Sequence, residues 1–104
     1  MSIEFLKKIF YENSQKDAII FDDIKLNYSF LLEKIEFFKE IIKSNNINSK
    51  DVVDIIGDFS PNSVSLLLSL IENKSIIVPI SINDKNLEFK LNEVAKVNYI
   101  FKFK

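Results

Sequence analysis

Apolar residues recur at helical spacing at the start of the chain. Ile3, Leu6 and Phe10 follow one another at intervals of three and four residues, and Phe5 and Ile9 are four residues apart. Residues at these intervals share a helix face, so the pattern predicts a helix over residues 3–12 that packs on the domain. A helix on a membrane surface is the alternative, but the polar side of this one mixes acidic and basic residues instead of being basic.

Two short extended runs come next. Ala18–Phe21 and Lys25–Tyr28 lie on either side of residues 22–24, which include Asp22 and Asp23. Such a pair around a polar turn predicts a β-hairpin, although the turn has no glycine to supply a positive φ.

A long helix is predicted after the hairpin. Asn27 or Ser29 is its expected N-cap, and the helix is expected to end at residues 44–46, where asparagine tolerates the left-handed backbone that closes helices. Its apolar face consists of Leu31, Leu32, Ile35, Phe38, Ile41 and Ile42.

From residue 52 onward, strand-like and helix-like patterns alternate. The predicted elements are a strand at Val52–Ile56, a helix that opens at Ser60–Pro61, a strand at Ser75–Ile80, a helix capped by Asp84 through Leu87, Leu91, Val94 and Ala95, and a final strand at 98–103. Such a βαβαβ unit of about 50 residues predicts a parallel sheet with right-handed crossovers. The expected fold class is therefore α/β: an N-terminal helix and a short hairpin, then a βαβαβ unit with a parallel sheet, all in a single domain over residues 1–104.

Composition excludes several kinds of chemistry. The 104 residues include no histidine, cysteine or arginine, and Gly57 is the only glycine. Histidine and thiol catalysis, structural zinc sites and bidentate arginine recognition are therefore ruled out. A single glycine also cannot build a glycine-rich phosphate loop.

Charge and hydropathy argue against nucleic acid and membrane as partners. The formal net charge is −1, and no basic run is longer than Lys7–Lys8, so the electrostatic signature of nucleic-acid binding is missing. The most apolar helical stretch, 64–71, is interrupted by two serines and is far shorter than the roughly 20 residues of a membrane span. The first residues lack the ordered regions of a signal peptide, which predicts a cytoplasmic protein.

Three aspartates lie close together in sequence. Asp51, Asp54 and Asp58 could form a metal or acid–base cluster, but Asp51 and Asp58 lie at opposite ends of the predicted strand, roughly 20 Å apart at about 3.3 Å per residue. We therefore interpret the three as solubilising groups at strand ends and turns.

The segment Gly57–Ser63 leads from a strand into a helix. Ligands bind at such a position in open α/β sheets, but no second glycine and no basic residue accompanies it. We therefore favour the interpretation that its polar residues cap and solvate the helix. Lys50 and Lys74 are interpreted in the same way as solvated lysines at element ends, so no catalytic, cofactor-binding or metal-binding residue is assigned.

The last predicted strand has an aromatic face. Tyr99, Phe101 and Phe103 alternate with Ile100 and Lys102. If this strand ends the sheet, its backbone edge needs to be covered by another chain or by further sequence.

Five motifs follow one another along nearly the whole chain. They are Leu26–Leu31 (leucine-x-tyrosine-x-x-leucine), Asn46–Val53, Pro61–Val64, Ser75–Ile80 and the set Leu91, Ala95 and Ile100. In order and spacing they resemble the opening segment of the AMP-forming adenylating enzymes, which include acyl-CoA synthetases, adenylation domains of peptide synthetases and luciferases. The family has glycine at three positions that are Asn46, Lys50 and Lys74 here.

The resemblance implies that the chain is the N-terminal part of an AMP-dependent ligase. A complete family member uses ATP and Mg²⁺ to activate a carboxylate as its acyl-adenylate. Its phosphate loop, adenine- and acyl-binding motifs and catalytic lysine lie downstream of this segment, so the chain alone is expected to be inactive and to hold no cofactor. Tyr28, Asp51 and Pro79 match the family as scaffold residues.

The partners expected from this are the rest of the ligase or, alternatively, a second copy. In the alternative, the chain is a stand-alone interaction module that forms an oligomer through Tyr99–Phe103. A small complete enzyme is disfavoured because the chain lacks histidine, cysteine, arginine and a phosphate loop.

Overall fold

The structure is a computed structural model that describes residues 3–80 and 99–103. Its elements are α1 (Glu4–Glu12), β1 (Asp17–Phe21), β2 (Ile24–Asn27), α2 (Tyr28–Ser44), β3 (Val52–Ile56), α3 (Pro61–Glu72), β4 (Ile76–Ile80) and β5 (Tyr99–Lys102). The predicted helix through Leu87, Leu91, Val94 and Ala95 lies outside the described residues.

Two sheets are present in the described part of the chain. β1 and β2 form an antiparallel hairpin, and β3, β4 and β5 form a parallel sheet in the order β4-β3-β5. This confirms the predicted α/β fold class with its N-terminal helix, hairpin and parallel sheet.

The hairpin forms its turn without glycine. Asp22 and Asp23 have φ values of 50° and 65°, which is the pair of left-handed residues that a type I′ turn requires. Aspartate tolerates this conformation because its short side chain hydrogen-bonds to the nearby backbone.

Only part of the predicted apolar stripe on α1 is buried. Ile3 is buried, and Leu6 and Phe10 pack beside it against α2 and the hairpin. Phe5 and Ile9 are exposed, so the prediction that all five residues form one stripe was wrong. At about 100° per residue, Phe5 and Ile9 lie on the far side of the helix from Ile3.

α2 begins and ends as predicted. The Asn27 side chain accepts a hydrogen bond of 2.9 Å from the Phe30 backbone amide. At the C-terminal end, the Asn46 amide donates to the Lys43 carbonyl and the Ile47 amide to the Ile42 carbonyl. These two bonds and the left-handed φ of 57° at Asn46 make a Schellman motif.

The main core lies between the parallel sheet and helices α2 and α3. Val53 and Ile55 of β3 point into it, while the buried apolar side chains of the two helices close it from the other side. The full buried set is Phe38, Ile42, Ile47, Val53, Ile55, Leu66 and Leu70. Ser69 of α3, which is also buried, donates 3.0 Å to the Ile35 carbonyl of α2, so this polar group adds a direct bond between the helices.

Candidate functional site at the carboxyl edge of the sheet

Gly57 is the point at which three chain segments meet. Its amide donates 2.9 Å to the Ile80 carbonyl, and the Phe103 amide donates 2.8 Å to the Ile56 carbonyl. Gly57 has φ 138°, and a Cβ atom there would lie 2.8 Å from the Phe103 backbone oxygen. Both the backbone angle and the close approach require glycine at this position.

The polar groups of the loop after Gly57 cap α3. The Ser60 side chain accepts from the Ser63 amide at 3.2 Å, and the Ser63 side chain accepts from the Ser60 amide at 2.8 Å. This reciprocal pair is a capping box, with Pro61 at the first helical turn. The interpretation that the serines of this segment cap the helix is therefore confirmed.

An apolar cleft opens beside this loop. Its volume is about 340 Å³, and the Phe59 side chain at the segment's exposed tip is 76% exposed. The described lining residues are Ile55, Gly57, Asp58, Phe59, Ser63, Leu67, Pro79 and Ile80. Since Ser63 is engaged in the cap, the buried lining offers van der Waals contact and little polar recognition.

The three aspartates do not form a cluster. Asp51 accepts a hydrogen bond of 2.7 Å from the Asn48 amide, and Asp58 is exposed at the other end of β3. The part of the chain that the structure describes contains no group of three acidic residues able to hold a metal ion.

Asp54 contradicts the interpretation that all three aspartates are solubilising. It has no exposed surface, and neither carboxylate oxygen has a hydrogen-bond partner among residues 3–80 and 99–103. Burial raises the pKa of Asp54, since the charged form is unfavourable away from water. The prediction of a solvated Asp54 was wrong because the central strand β3 is covered on both faces. A strand with one face in solvent would expose this side chain.

Lys50 and Lys74 are exposed, as predicted, but their backbones are unusual. Their φ values are 70° and 62°, and the Lys50 amide donates 2.9 Å to the Lys74 carbonyl. Lys74 closes a second Schellman motif, because its amide donates to Ile71 and the next amide donates to Leu70. Left-handed backbone is disfavoured for residues with a Cβ atom.

The two outer edges of the parallel sheet differ. The Ile76 amide and the Ile80 carbonyl both bond toward β3, so alternation along the strand directs the backbone of Pro79 outward. Proline has no N–H, and this edge therefore lacks a donor at that position. On β5 the Phe103 amide bonds toward β3, so Ile100 and Lys102 direct both N–H and C=O outward.

A four-residue ionic network joins α1, α2 and α3. Glu72 lies 2.7 Å from the Lys7 ammonium and 2.8 Å from the Lys39 ammonium, and both lysines also lie near Glu36. Glu36 and Lys39 are three residues apart on α2, which is the spacing of an ordinary surface pair on a helix. Lys7 and Glu72 are too far apart in sequence for any spacing rule to connect them.

The network shifts two pKa values in opposite directions. Burial alone would raise the pKa of Glu72, but hydrogen bonds from Lys39 and Lys7 outweigh burial and hold it below its usual range. The hydrogen bond to Glu72 raises the pKa of Lys39, against a smaller opposing effect of burial. Both shifts favour the charged forms of the pair.

None of the helices described here is long and apolar enough to cross a membrane. The serines of the Gly57–Ser63 loop are engaged in capping α3, and the described residues around it include no group of three side chains that could hold a metal ion.

Comparison of the fold with solved structures gives consistent matches. NpsA of Klebsiella oxytoca, solved in complex with 3-hydroxyanthranilyl-AMSN, is 25% identical, with a TM-score of 0.77 over 93% of this chain and 21% of its own. O-succinylbenzoate coenzyme A synthetase (MenE) of Bacillus subtilis, in complex with ATP and magnesium ion, is 12% identical, with a TM-score of 0.82 over 97% of this chain and 28% of its own. The N-terminal domain of FACL13 from Mycobacterium tuberculosis is also 12% identical, with a TM-score of 0.81 over 97% of this chain and 26% of its own.

Comparison by sequence alone finds no relative: no model of a known family matches, and no curated protein is significantly similar. The chain spans about a quarter of the length of the solved structures it matches. Those structures are AMP-forming adenylating enzymes. In its fold and in the order of its elements, this chain resembles the N-terminal segment of the AMP-forming adenylating enzymes.

Proposed function

We propose that the chain is the N-terminal part of an AMP-dependent synthetase or ligase. In the complete enzyme, ATP and Mg²⁺ would activate a carboxylate as an acyl-adenylate, usually before transfer to a thiol. This part supplies a three-stranded sheet and its covering helices, has no catalytic residue of its own, and works as one domain with the rest of the ligase. The cytoplasm is its proposed location.

The backbone at three non-glycine residues carries this proposal. The family has glycine at the positions of Asn46, Lys50 and Lys74, and all three residues have left-handed φ values of 57°, 70° and 62°. Such backbone is what glycine adopts without strain. The motif alignment therefore agrees with the structure at the very positions where the side chains depart from the family.

The proposal is tested first by the coding DNA. We expect the reading frame beyond codon 104, or an adjoining frame, to encode a Ser/Thr/Gly-rich loop ending in lysine. If neither frame encodes such a loop, the proposal fails.

A second test uses the protein itself. The chain alone is expected to show no change in melting temperature with ATP and Mg²⁺, because a ligand that binds only the folded state must stabilise it. When mixed with, or joined to, the downstream product, it is expected to support ATP–pyrophosphate exchange. A rise of several degrees for the chain alone would contradict the assignment as a scaffold.

The outer edge of β5, which is paired with no other described strand, favours a second candidate function. As a stand-alone interaction module, the chain would form an oligomer through Tyr99–Phe103, where the backbone of Ile100 and Lys102 faces outward and the Ile100 side chain is 54% exposed. This reading predicts a defined dimer at micromolar concentration in sedimentation velocity. Lys102→Pro removes the outward N–H and is expected to abolish the dimer, whereas Lys102→Ala keeps that N–H and the dimer. A monodisperse monomer would overturn this function.

A further inference from the structure

The aromatic cover that α2 places over β5 continues to a side chain that is exposed. The Tyr99 hydroxyl donates 2.7 Å to the Asn45 carbonyl, and the Phe103 and Phe38 rings meet edge to face with their centres 6.3 Å apart. α2 therefore lies over the aromatic face of β5. The Phe37 ring meets the Phe38 ring in the same way at 5.2 Å, yet Phe37 is 53% exposed.

The position of α3 shows on which side of α2 this exposed ring lies. The Lys39 ammonium is 2.8 Å from Glu72 of α3, so α3 lies on the Lys39 side of α2. Two residues at about 100° each place Phe37 on the opposite side of α2 from Lys39. α3 also packs on β4, and β4 and β5 are the two outer strands of the parallel sheet. Phe37 therefore lies on the side of α2 that extends past the outer edge of β5.

The edge beneath Phe37 has unused backbone groups, as far as the structure describes it. Ile100 and Lys102 direct N–H and C=O away from β3, and no described strand pairs with them. An extended segment at this edge would form ladder hydrogen bonds with both residues. Its inward side chains would lie under Phe37 and beside Phe101 and Phe103, which are only partly buried. The edge and the ring above it thus fit a fourth strand with apolar side chains at alternate positions.

The length of this edge favours a strand that is held in place by the same fold. Two residues with outward backbone are few for a stable interface between separate proteins, which buries about 1,200–2,000 Å². A strand that the rest of its own fold holds beside the edge loses much less freedom on pairing. The chain spans about a quarter of the length of the structures it matches, so a ligase of that size has further sequence to supply such a strand.

We propose that an extended segment of the downstream part of the ligase pairs with the outer edge of β5 and packs its apolar side chains under Phe37. This inference rests on the proposed function, and it names the surface of this chain on which the rest of the ligase continues the sheet. A second copy would use the same edge, so the two occupants exclude each other.

Amide hydrogen exchange tests the edge in the unsubstituted chain, alone and mixed with the downstream product. The amides of Ile100 and Lys102, followed by NMR, should exchange at least tenfold more slowly in the mixture than in the chain alone. The amides of Phe101 and Phe103, which face β3, are internal controls and should be protected in both samples. Protection of Ile100 and Lys102 in the chain alone would overturn the proposal, and protection that rises with concentration would identify a second copy as the occupant.

The same mixture distinguishes failure of this inference from failure of the proposed function. If it lacks ATP–pyrophosphate exchange and shows no new protection, the proposed function fails and this inference fails with it. If it catalyses the exchange while Ile100 and Lys102 remain unprotected, only this inference is wrong.

A matched pair of variants tests the backbone contact separately. Lys102→Pro removes the outward N–H and should raise the Kd for the downstream product at least tenfold. Lys102→Ala removes the same charge but keeps that N–H, so it should raise the Kd less than threefold. Equal effects of the two substitutions would contradict pairing at this edge.

Discussion

Replacing Lys74 or Lys50 by glycine should stabilise the protein. Both residues have left-handed backbone, with φ values of 62° and 70°. This conformation costs a residue with a Cβ atom about 1–2 kcal/mol. Glycine removes that strain, but it is more flexible in the unfolded chain, and this lowers the free energy of unfolding by about 0.5–1 kcal/mol. The expected net gain is about 0.5–1 kcal/mol at each site, or roughly 2–8 °C in melting temperature for a domain of this size.

The assay is urea unfolding followed by far-ultraviolet circular dichroism, with alanine as the matched control. Lys74→Ala removes the same charge but keeps the Cβ atom, so it should leave the midpoint nearly unchanged. Lys43→Gly in the last turn of α2 replaces a helical residue and should lower stability by about 1 kcal/mol. If Lys74→Gly is no more stable than Lys74→Ala, the reasoning from backbone strain is refuted.

The double variant adds information because the two sites touch. The Lys50 amide donates to the Lys74 carbonyl at 2.9 Å, and neighbouring sites that share a hydrogen bond need not be additive. A combined gain close to the sum would indicate that this bond survives both substitutions. A combined gain below that of either single variant would indicate that relaxing one turn displaces the other.

Three further results are expected. Because the lysines lower the pKa of Glu72, the contribution of Glu72 to protein stability is full above the ordinary carboxyl pKa and is lost as the pH falls through the lowered pKa. Urea midpoints measured from pH 7 to 2 should show this loss, and Glu72→Gln should reduce the dependence of the midpoint on pH. Gly57→Ala should cost about 2–3 kcal/mol in the same assay, since a Cβ atom meets the Phe103 backbone oxygen at 2.8 Å, and a cost below 0.5 kcal/mol would disprove that contact. Leu66→Ala, at a site with no exposed surface, should lower stability by about 2–5 kcal/mol in chemical denaturation. Phe59→Ala, at an exposed site, should change stability by less than about 0.5 kcal/mol, and equal effects of the two substitutions would contradict the burial pattern.

Patterns that depend on local sequence were predictable. The N-caps at Asn27 and Ser60 and the left-handed end of α2 at Asn46 all follow from side chains that bond to, or tolerate, their own nearby backbone. The hairpin was predictable from its two extended runs. Its turn was less so, because two aspartates take the conformation that glycine usually supplies.

Features that depend on distant residues were not predictable. Nothing in the residues around Asp54 indicates that the strand is covered on both faces, so a single aspartate among apolar residues was interpreted as exposed. The ionic network around Glu72 was unpredictable for the same reason, since α1 and α3 approach each other only through tertiary packing. At the candidate site, the capping role of Ser60 was predictable, but the approach of Phe103 to Gly57 was not.

The missing donor at Pro79 has a consequence for assembly. Strand-by-strand polymers need a molecule with two open edges, because each subunit must both accept a strand and offer one. In the parallel sheet, as far as the structure describes it, only β5 presents an outer edge that keeps all its backbone donors. Edge-to-edge pairing of two copies consumes both open edges at once, so association stops at the dimer and does not continue into a filament. A single proline on β4 thus limits assembly through this sheet to a dimer.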